Sequence, residues 1–236
     1  MGIAWRTARL VERRPQTATA RSLVFTVPGW PGHLPGQHVD VRLTADDGYQ
    51  TVRSYSLAAP ADGDRVELGV QAVPDGEVSP YLAHDLPPGA DVELRGPLGN
   101  WFVWRPEQTE PVLLVAGGSG VVPLAAMIRA RSGTGTRSPF HLLYSARTPD
   151  DVWYRDHLAD RDPQLDVRIV YTRRALPGST RRPGRVTRGD LEKQAAQLQP
   201  DSPVYVCGPT GFVESVSNLL IDMRWDPAAI RTERFG

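Results

Sequence analysis

"PVLLVAGGSGVVPLAAMI", residues 111–128, carries no charge across its whole length and admits two incompatible readings. By length and apolarity it approaches a membrane span. Its centre argues otherwise: the run Gly117, Gly118, Ser119, Gly120, followed by Pro123, is poor material for a continuous span and splits the segment into two short elements. Before the glycines stands "VLLVA", a strand-length apolar run. After them "PLAAMIRAR" reads as a helix with Pro123 near its opening, where a missing N–H costs nothing. A strand that turns on glycines into a helix is the first unit of a parallel α/β domain. In such a domain that turn is where a phosphate is met, because the backbone approaches closely and the helix end offers free N–H groups. The glycines alone suit a tight turn into any helix equally well.

Outward from this unit, "FHLLYS", "LDVRIVYT" and "PVYVCG" are near-continuous apolar runs, as strands covered on both faces should be. Helical segments "WYRDHLAD", "GDLEKQAAQL" and "GFVESVSNLLIDM" fall between or after them, which predicts a parallel-sheet, Rossmann-like α/β domain over residues 111–236. Upstream, "RPEQTEP" reads as a linker. The stretch before it carries strand-length runs, "ARSLVFTV", "HVDVRLT", "SYSLAA", "RVELGVQAV" and "DVELRGP", separated by Gly-, Pro- and Asp-rich turns. Residues 1–105 are therefore expected to form an all-β, six-stranded antiparallel barrel, with "VSPYLAHDL" as its one short helix.

Composition narrows the function classes. The 27 basic and 27 acidic residues balance, so no global field points to nucleic acid or an anionic membrane. One cysteine allows no internal disulfide and no four-cysteine zinc or iron–sulfur site within these residues. The five histidines show no metal-ligand spacing, and no metal is expected. The opening residues lack the apolar run of a signal peptide, and the expectation is a cytoplasmic protein without membrane insertion.

"RSYSLAAP", residues 53–60, is unusual for a strand. Alternation puts Arg53 and Tyr55 on one face and Ser54 and Ser56 on the other, and a face of guanidinium and ring suits a planar, polar, anionic partner. "RSYS" in a barrel, "GEVS" before a short helix, "GGSGVVP" and then "CGP", in that order, resemble the ferredoxin-NADP reductase family of flavoproteins. The likeness covers nearly all 236 residues. The family pairs a flavin-binding antiparallel barrel with a nicotinamide-dinucleotide-binding α/β domain.

The resemblance implies roles residue by residue. Within Arg53, Ser54, Tyr55 and Ser56, the arginine binds the flavin phosphates, Tyr55 lies against the isoalloxazine and Ser56 bonds near its reactive nitrogen. Gly76, Val78 and Ser79 form the second flavin segment. Gly118, Ser119, Gly120 and Pro123 receive the nicotinamide dinucleotide, together with Cys207, Gly208 and Pro209. Ser56, Cys207 and Glu233 surround the hydride path, and Phe235 stacks on the flavin until nicotinamide displaces it. FAD is favoured over FMN. Past the second and third apolar runs stand Ser145 and Arg147, then Thr172 and Arg173, with no early acid to bind a ribose diol. Arg173, with Arg181, Arg182 or Arg185 closing over it, makes NADPH the favoured donor over NADH. The implied reaction is hydride transfer from NADPH to FAD, with electrons passed on to a separate protein such as a ferredoxin. A reductase that releases reduced free flavin, or a non-catalytic redox-sensing subunit, are the alternatives.

Overall fold

The computed structural model describes residues 4–136, 138–159 and 162–235. Six strands, β1 (Trp5–Pro15), β2 (Ala20–Thr26), β3 (His38–Thr44), β4 (Gln50–Ser56), β5 (Arg65–Gln71) and β6 (Asp91–Leu98), form one antiparallel sheet in the order β4-β3-β6-β1-β2-β5. Its concave side closes over a core that includes Leu10, Leu23, Phe25, Val39, Val41, Leu68 and Leu94. A short helix, α1 (Val78–Pro80), runs on into a wider π-type turn over Tyr81–Asp85 and adds Leu82 and Ala83 to that core.

Two strands of this sheet differ from the sequence expectation. The central strand β1 was absent from it, because "WRTARLVERRP" offers only Ala8 and Leu10 to the core while its arginines fan outward. Strand β4 begins before the expected "SYSLAA" run: Gln50 through Ser56 pair with β3, and Leu57 leaves that edge to bridge Leu68 of β5. The polar residues are thus the strand, and the apolar ones that follow turn inward.

The second sheet contains β7 (Val112–Gly117), β8 (Phe140–Ala146), β9 (Leu165–Tyr171), β10 (Val204–Pro209) and β11 (Ile230–Phe235) in the order β11-β10-β7-β8-β9, all parallel. Helices α2 (Val121–Thr134) and α3 (Arg155–Ala159) cover one face, and α4 (Arg188–Gln194) and α5 (Thr210–Asp222) the other. The strands β7 and β8 are buried throughout, which explains their unbroken apolar sequence. Helix α3 is shorter than "WYRDHLAD" suggests: Trp153 and Tyr154 precede it as buried anchors, and Asp160 lies outside the described residues. Helix α4 likewise stops short of the expected "GDLEKQAAQL", and "TERFG" was not read as a strand but contributes to β11.

The two sheets are locked together by buried polar contacts. Arg129 of α2 donates to the Ala58 carbonyl at 3.0 Å and to Glu67 at 3.2 Å, and its guanidinium lies 4.8 Å from the Tyr154 ring centroid. On the other side, the Tyr205 hydroxyl of β10 donates to the Val103 carbonyl at 2.9 Å, and Arg231 of β11 donates to the same carbonyl. The relative placement of β4 and the glycine turn follows from these contacts.

Candidate functional site

In the parallel sheet, chain direction reverses its order of laying down strands between β7 and β10, and the crevice at their carboxyl ends is where such sheets receive ligands. Gly118, Ser119 and Gly120 form a single 3₁₀ turn there, leading into α2. Gly118 has φ of +56°, a conformation that disfavours any side chain. Gly120 has an ordinary φ of −60°, and its reason is different: a Cβ there would overlap the Cys207 carbonyl and stand 2.7 Å from the Gly208 nitrogen. The glycine turn is therefore seated directly on β10. No side chain caps the N-terminus of α2; the Val121 N–H is taken by the Gly118 and Ser119 carbonyls of the preceding turn, and the helix turns the positive end of its dipole toward the crevice. Pro123 lies buried in the first turn of that helix, where it costs no hydrogen bond.

Around this crevice the fold gathers most of the residues expected there. Ser145, buried at the end of β8, sits in register with Gly117, and Arg147 follows it, exposed. Thr172 and Arg173 continue from β9 and bond through their N–H groups to the Ala146 and Arg147 carbonyls, both at 2.9 Å. Cys207, Gly208 and Pro209 end β10 beside Glu233, Arg234 and Phe235 of β11. Phe212, which sequence reasoning passed over, lays its ring against the turn: a Cβ on Gly117 or on Gly208 would meet it at 2.7 or 2.8 Å. Its only signal was an apolar residue in the first turn of a helix.

The barrel reaches this crevice through β4. Ser56 Oγ donates to Glu233 Oε1 at 3.2 Å, joining two residues 177 positions apart. Burial pushes the Glu233 carboxyl up to about 7, with the Ser56 bond working against that rise. Burial, reinforced by the nearby Glu233 charge, raises the Cys207 thiol well above its usual value. A thiol in that state is neutral near pH 7 and is no nucleophile. Serine hydroxyl, neutral thiol and a carboxyl able to hold a proton near neutrality thus lie at one junction.

Along β4 the expected faces separate as the pleat requires. Tyr55 is half-buried against the barrel core, and burial raises its phenol to about 12. Arg53 is exposed, and its side chain bonds only Thr51 Oγ1 at 3.4 Å and the Val52 carbonyl at 2.8 Å. It has no carboxylate partner among the described residues, which leaves its fork open to phosphate oxygens. Ser54 faces the other way and donates to Asp40 at 2.7 Å, where Arg95 is also bound. Ser79 accepts from the Val73 N–H at 3.1 Å and braces the turn that carries Gly76, while Val78 is buried beneath it. Glycine packing and uncapped helix ends on one side, and an unpaired arginine beside a half-buried ring on the other, fit a nicotinamide dinucleotide and a flavin.

One arginine assignment needs correction. Arg181 does not close over Arg173: its guanidinium is forked on Asp190 at 2.8 and 2.7 Å and also donates to the Arg185 carbonyl. The Arg168–Arg188 segment contains no acid of its own, and the partner stands just beyond it, on the first turn of α4. Arg174 pairs with Asp150 and Arg168 with Gln194, so Arg173, Arg182 and Arg185 remain without side-chain partners among the described residues.

Comparison with known proteins agrees with this division. Residues 8–103 match the oxidoreductase FAD-binding domain family, and residues 114–218 match the oxidoreductase NAD-binding domain family. The ferredoxin–NADP reductase B of Sorangium cellulosum is 34% identical, over 90% of this chain and 89% of its own length. The reductase component of the naphthalene 1,2-dioxygenase/salicylate 5-hydroxylase systems of Ralstonia is also 34% identical, over 94% of this chain, which spans 64% of that relative's length. Among solved structures, a ferredoxin reductase in carbazole 1,9a-dioxygenase superposes with a TM-score of 0.84 at 27% identity, covering 99% of this chain and 70% of that one. No helix among the described residues is long and apolar enough to cross a membrane.

Proposed function

Because the chain belongs to the ferredoxin-NADP reductase family of flavin-dependent oxidoreductases, we propose that it takes a hydride from NADPH onto FAD and passes electrons to a separate redox protein such as a ferredoxin. We assign the flavin to residues 1–105 and the nicotinamide nucleotide to residues 111–236. The observation that carries the reading is the Ser56–Glu233 hydrogen bond, because it brings the flavin strand to the carboxyl ends of the nucleotide-binding sheet. Bound FAD supplies a carrier that accepts two electrons together and releases them singly.

The chain's own residues supply orientation and proton control. Tyr55 gives the isoalloxazine a half-buried face, and Arg53 holds its phosphates. Ser56 presents a hydroxyl whose proton is shared with Glu233, and a carboxyl held near pH 7 can take up or release a proton at that atom during turnover. Cys207, neutral and fully buried, packs beside the nicotinamide position without entering covalent chemistry.

The preference for NADPH is supported by Arg173, exposed just beyond the end of β9 and without a carboxylate partner among the described residues. Arg173→Ala is expected to raise the KM for NADPH by about tenfold or more, the range of a lost charge-assisted contact, and to leave the KM for NADH unchanged. Equal effects on both nucleotides would place this arginine away from a 2′-phosphate.

Anaerobic visible absorption of the purified protein, recorded with NADPH and NADH in parallel, tests the central reading. A yellow protein that bleaches faster with NADPH supports it, and turnover is then compared with ferredoxin and with added free flavin as acceptor. A colourless protein that FAD and FMN fail to reconstitute refutes it.

A further inference from the structure

Every residue of α2 from Val121 to Ile128 is buried. A helix lying on one sheet alone would keep an exposed side, so α2 is covered by the barrel as well as by its own sheet. The barrel meets it along β5. In that strand Val66, Leu68 and Val70 point into the barrel core, and alternation turns Glu67 and Gly69 outward to α2. Arg129 of α2 donates to Glu67 at 3.2 Å, and Gly69 receives Val122. Gly69 stands inside the strand, paired with Ser22, and is not at positive φ. A glycine there weakens the strand, and what it permits is the close approach of another element. A Cβ on Gly69 would overlap one methyl of Val122 and stand 2.7 Å from the other, with the Tyr154 hydroxyl at 3.1 Å. No rotation of the valine clears that space, because both methyls already face the glycine and turning the side chain withdraws only one of them.

The first turn of α2 is thus held from two sides. Gly120, at its start, lies against the Cys207 carbonyl of β10, and Val122 lies against Gly69 of β5. From Gly69 the path to β4 is short: the neighbouring Leu68 bridges Leu57, and Leu57 follows Ser56 directly. Cys207 and Ser56, which the family resemblance places on either side of the hydride path, are therefore spaced by one turn of helix.

We propose that the Gly69–Val122 contact is a spacer that sets how closely a nicotinamide at the glycine turn approaches a flavin on β4, which makes both of them positioning residues for hydride transfer. This role rests on the assignment of the flavin to β4 and of the nicotinamide nucleotide to the crevice. A methyl at position 69 parts helix and strand by about 1 Å, since carbon atoms in contact stay about 3.5–4.0 Å apart. The α2–β10 side does not yield, because Gly120 already rests on backbone there, and the barrel is pushed back instead. A misplacement of that size between reacting groups costs up to about a hundredfold in rate. Nucleotide affinity is spared, because α2 and β10 keep their places relative to each other.

The test compares the wild type with Gly69→Ala, Val122→Ile and the double variant Gly69→Ala/Val122→Ala. It measures the melting temperature of flavin-free protein, the affinity for NADP+ (NAD+ if NADH is the faster donor), and the anaerobic rate of flavin reduction at saturating donor. Gly69→Ala is expected to melt lower than the wild type and to reduce its flavin about tenfold to a hundredfold more slowly, with nucleotide affinity unchanged. The double variant, freed of the overlapping methyls, melts above Gly69→Ala and recovers most of the reduction rate. Val122→Ile presses on β5 from the helix side, slows reduction in the same sense, and carries the test if Gly69→Ala does not fold. A wild-type reduction rate in Gly69→Ala and Val122→Ile, a slowing that tracks a loss of nucleotide affinity, or a double variant no faster and no more stable than Gly69→Ala would overturn the proposal. A wild type that binds no flavin, or whose flavin neither donor reduces, overturns it together with the functional reading, and is told apart by the failure of the unmodified chain.

Discussion

Gly120→Ala is expected to lower the melting temperature of the protein by about 10 °C, the shift that an overpacking cost of roughly 3 kcal/mol produces in a chain of this size. The backbone at Gly120 is already helical, with φ −60° and ψ −10°, so alanine meets no conformational objection. The whole effect is steric. The new methyl overlaps the Cys207 carbonyl and crowds the Gly208 nitrogen, both of which are backbone atoms of a strand paired on each side with β7 and β11. Neither can yield without displacing the sheet or the start of α2. If the nicotinamide nucleotide is held at this turn as proposed, its binding is expected to weaken along with stability.

Gly118→Ala is the control. A Cβ there meets nothing within 4 Å, and the cost is only that of holding a side chain at φ +56°, about 1 to 2 kcal/mol. Thermal unfolding of the two variants side by side checks the argument. A melting temperature for Gly120→Ala within 2 °C or so of the wild type would mean that β10 accommodates the methyl, against the overpacking expectation.

Glu233→Gln, in contrast, changes stability in a pH-dependent way. Burial holds this carboxyl at about 7 in the folded chain, against the ordinary 4.5 that it regains on unfolding. The native state then binds more protons at this site than the unfolded one between those values, so the contribution of Glu233 to stability is greatest below pH 4.5 and is lost as pH rises through 7. Glutamine keeps the shape and has no charge to bury. The stability of Glu233→Gln relative to the wild type should rise with pH across that window and level off above it, by about 3 kcal/mol in all. Urea unfolding at a series of pH values, on flavin-free protein, measures this difference directly. A difference that stays flat from pH 4.5 to 8 would show that the carboxyl titrates normally. In the loaded enzyme the same residue should shape the pH profile of turnover, with the substitution removing an inflection near 7.

The arginine-rich segment shows where local reading stops. The segment from Arg168 to Arg188 holds seven arginines and no acid, and by sequence Arg181 stood level with Arg182 and Arg185 as a residue to close over Arg173. Its partner, Asp190, sits in the capping box of α4 with Thr187. That arrangement serves the helix first and the arginine second. Local sequence ranks residues by charge, and only the folded loop separates an arginine that staples it from one that faces a ligand. Strand β1 was lost for a related reason: its outward residues are paired one by one, as Arg9 with Asp91 and Arg14 with Glu12, and contribute no apolar signal.

The sequence by itself determined the two-part architecture. Continuous apolar runs are forced on strands buried on both faces, and glycines between an apolar run and a helical one mark the turn that joins strand to helix. It also marked β4 as unusual, with an arginine and a tyrosine alternating on one face, and the family resemblance attached the flavin roles to those residues. What only the tertiary structure decided is contact across long separation. The Ser56–Glu233 bond, the seating of Gly120 on Cys207 and the Phe212 ring against Gly117 each join residues whose separation in the chain carries no trace of their meeting. The physical reason is that local preferences act over a few residues, whereas the burial that raises Glu233 to about 7 exists only once two independently formed sheets have closed on each other.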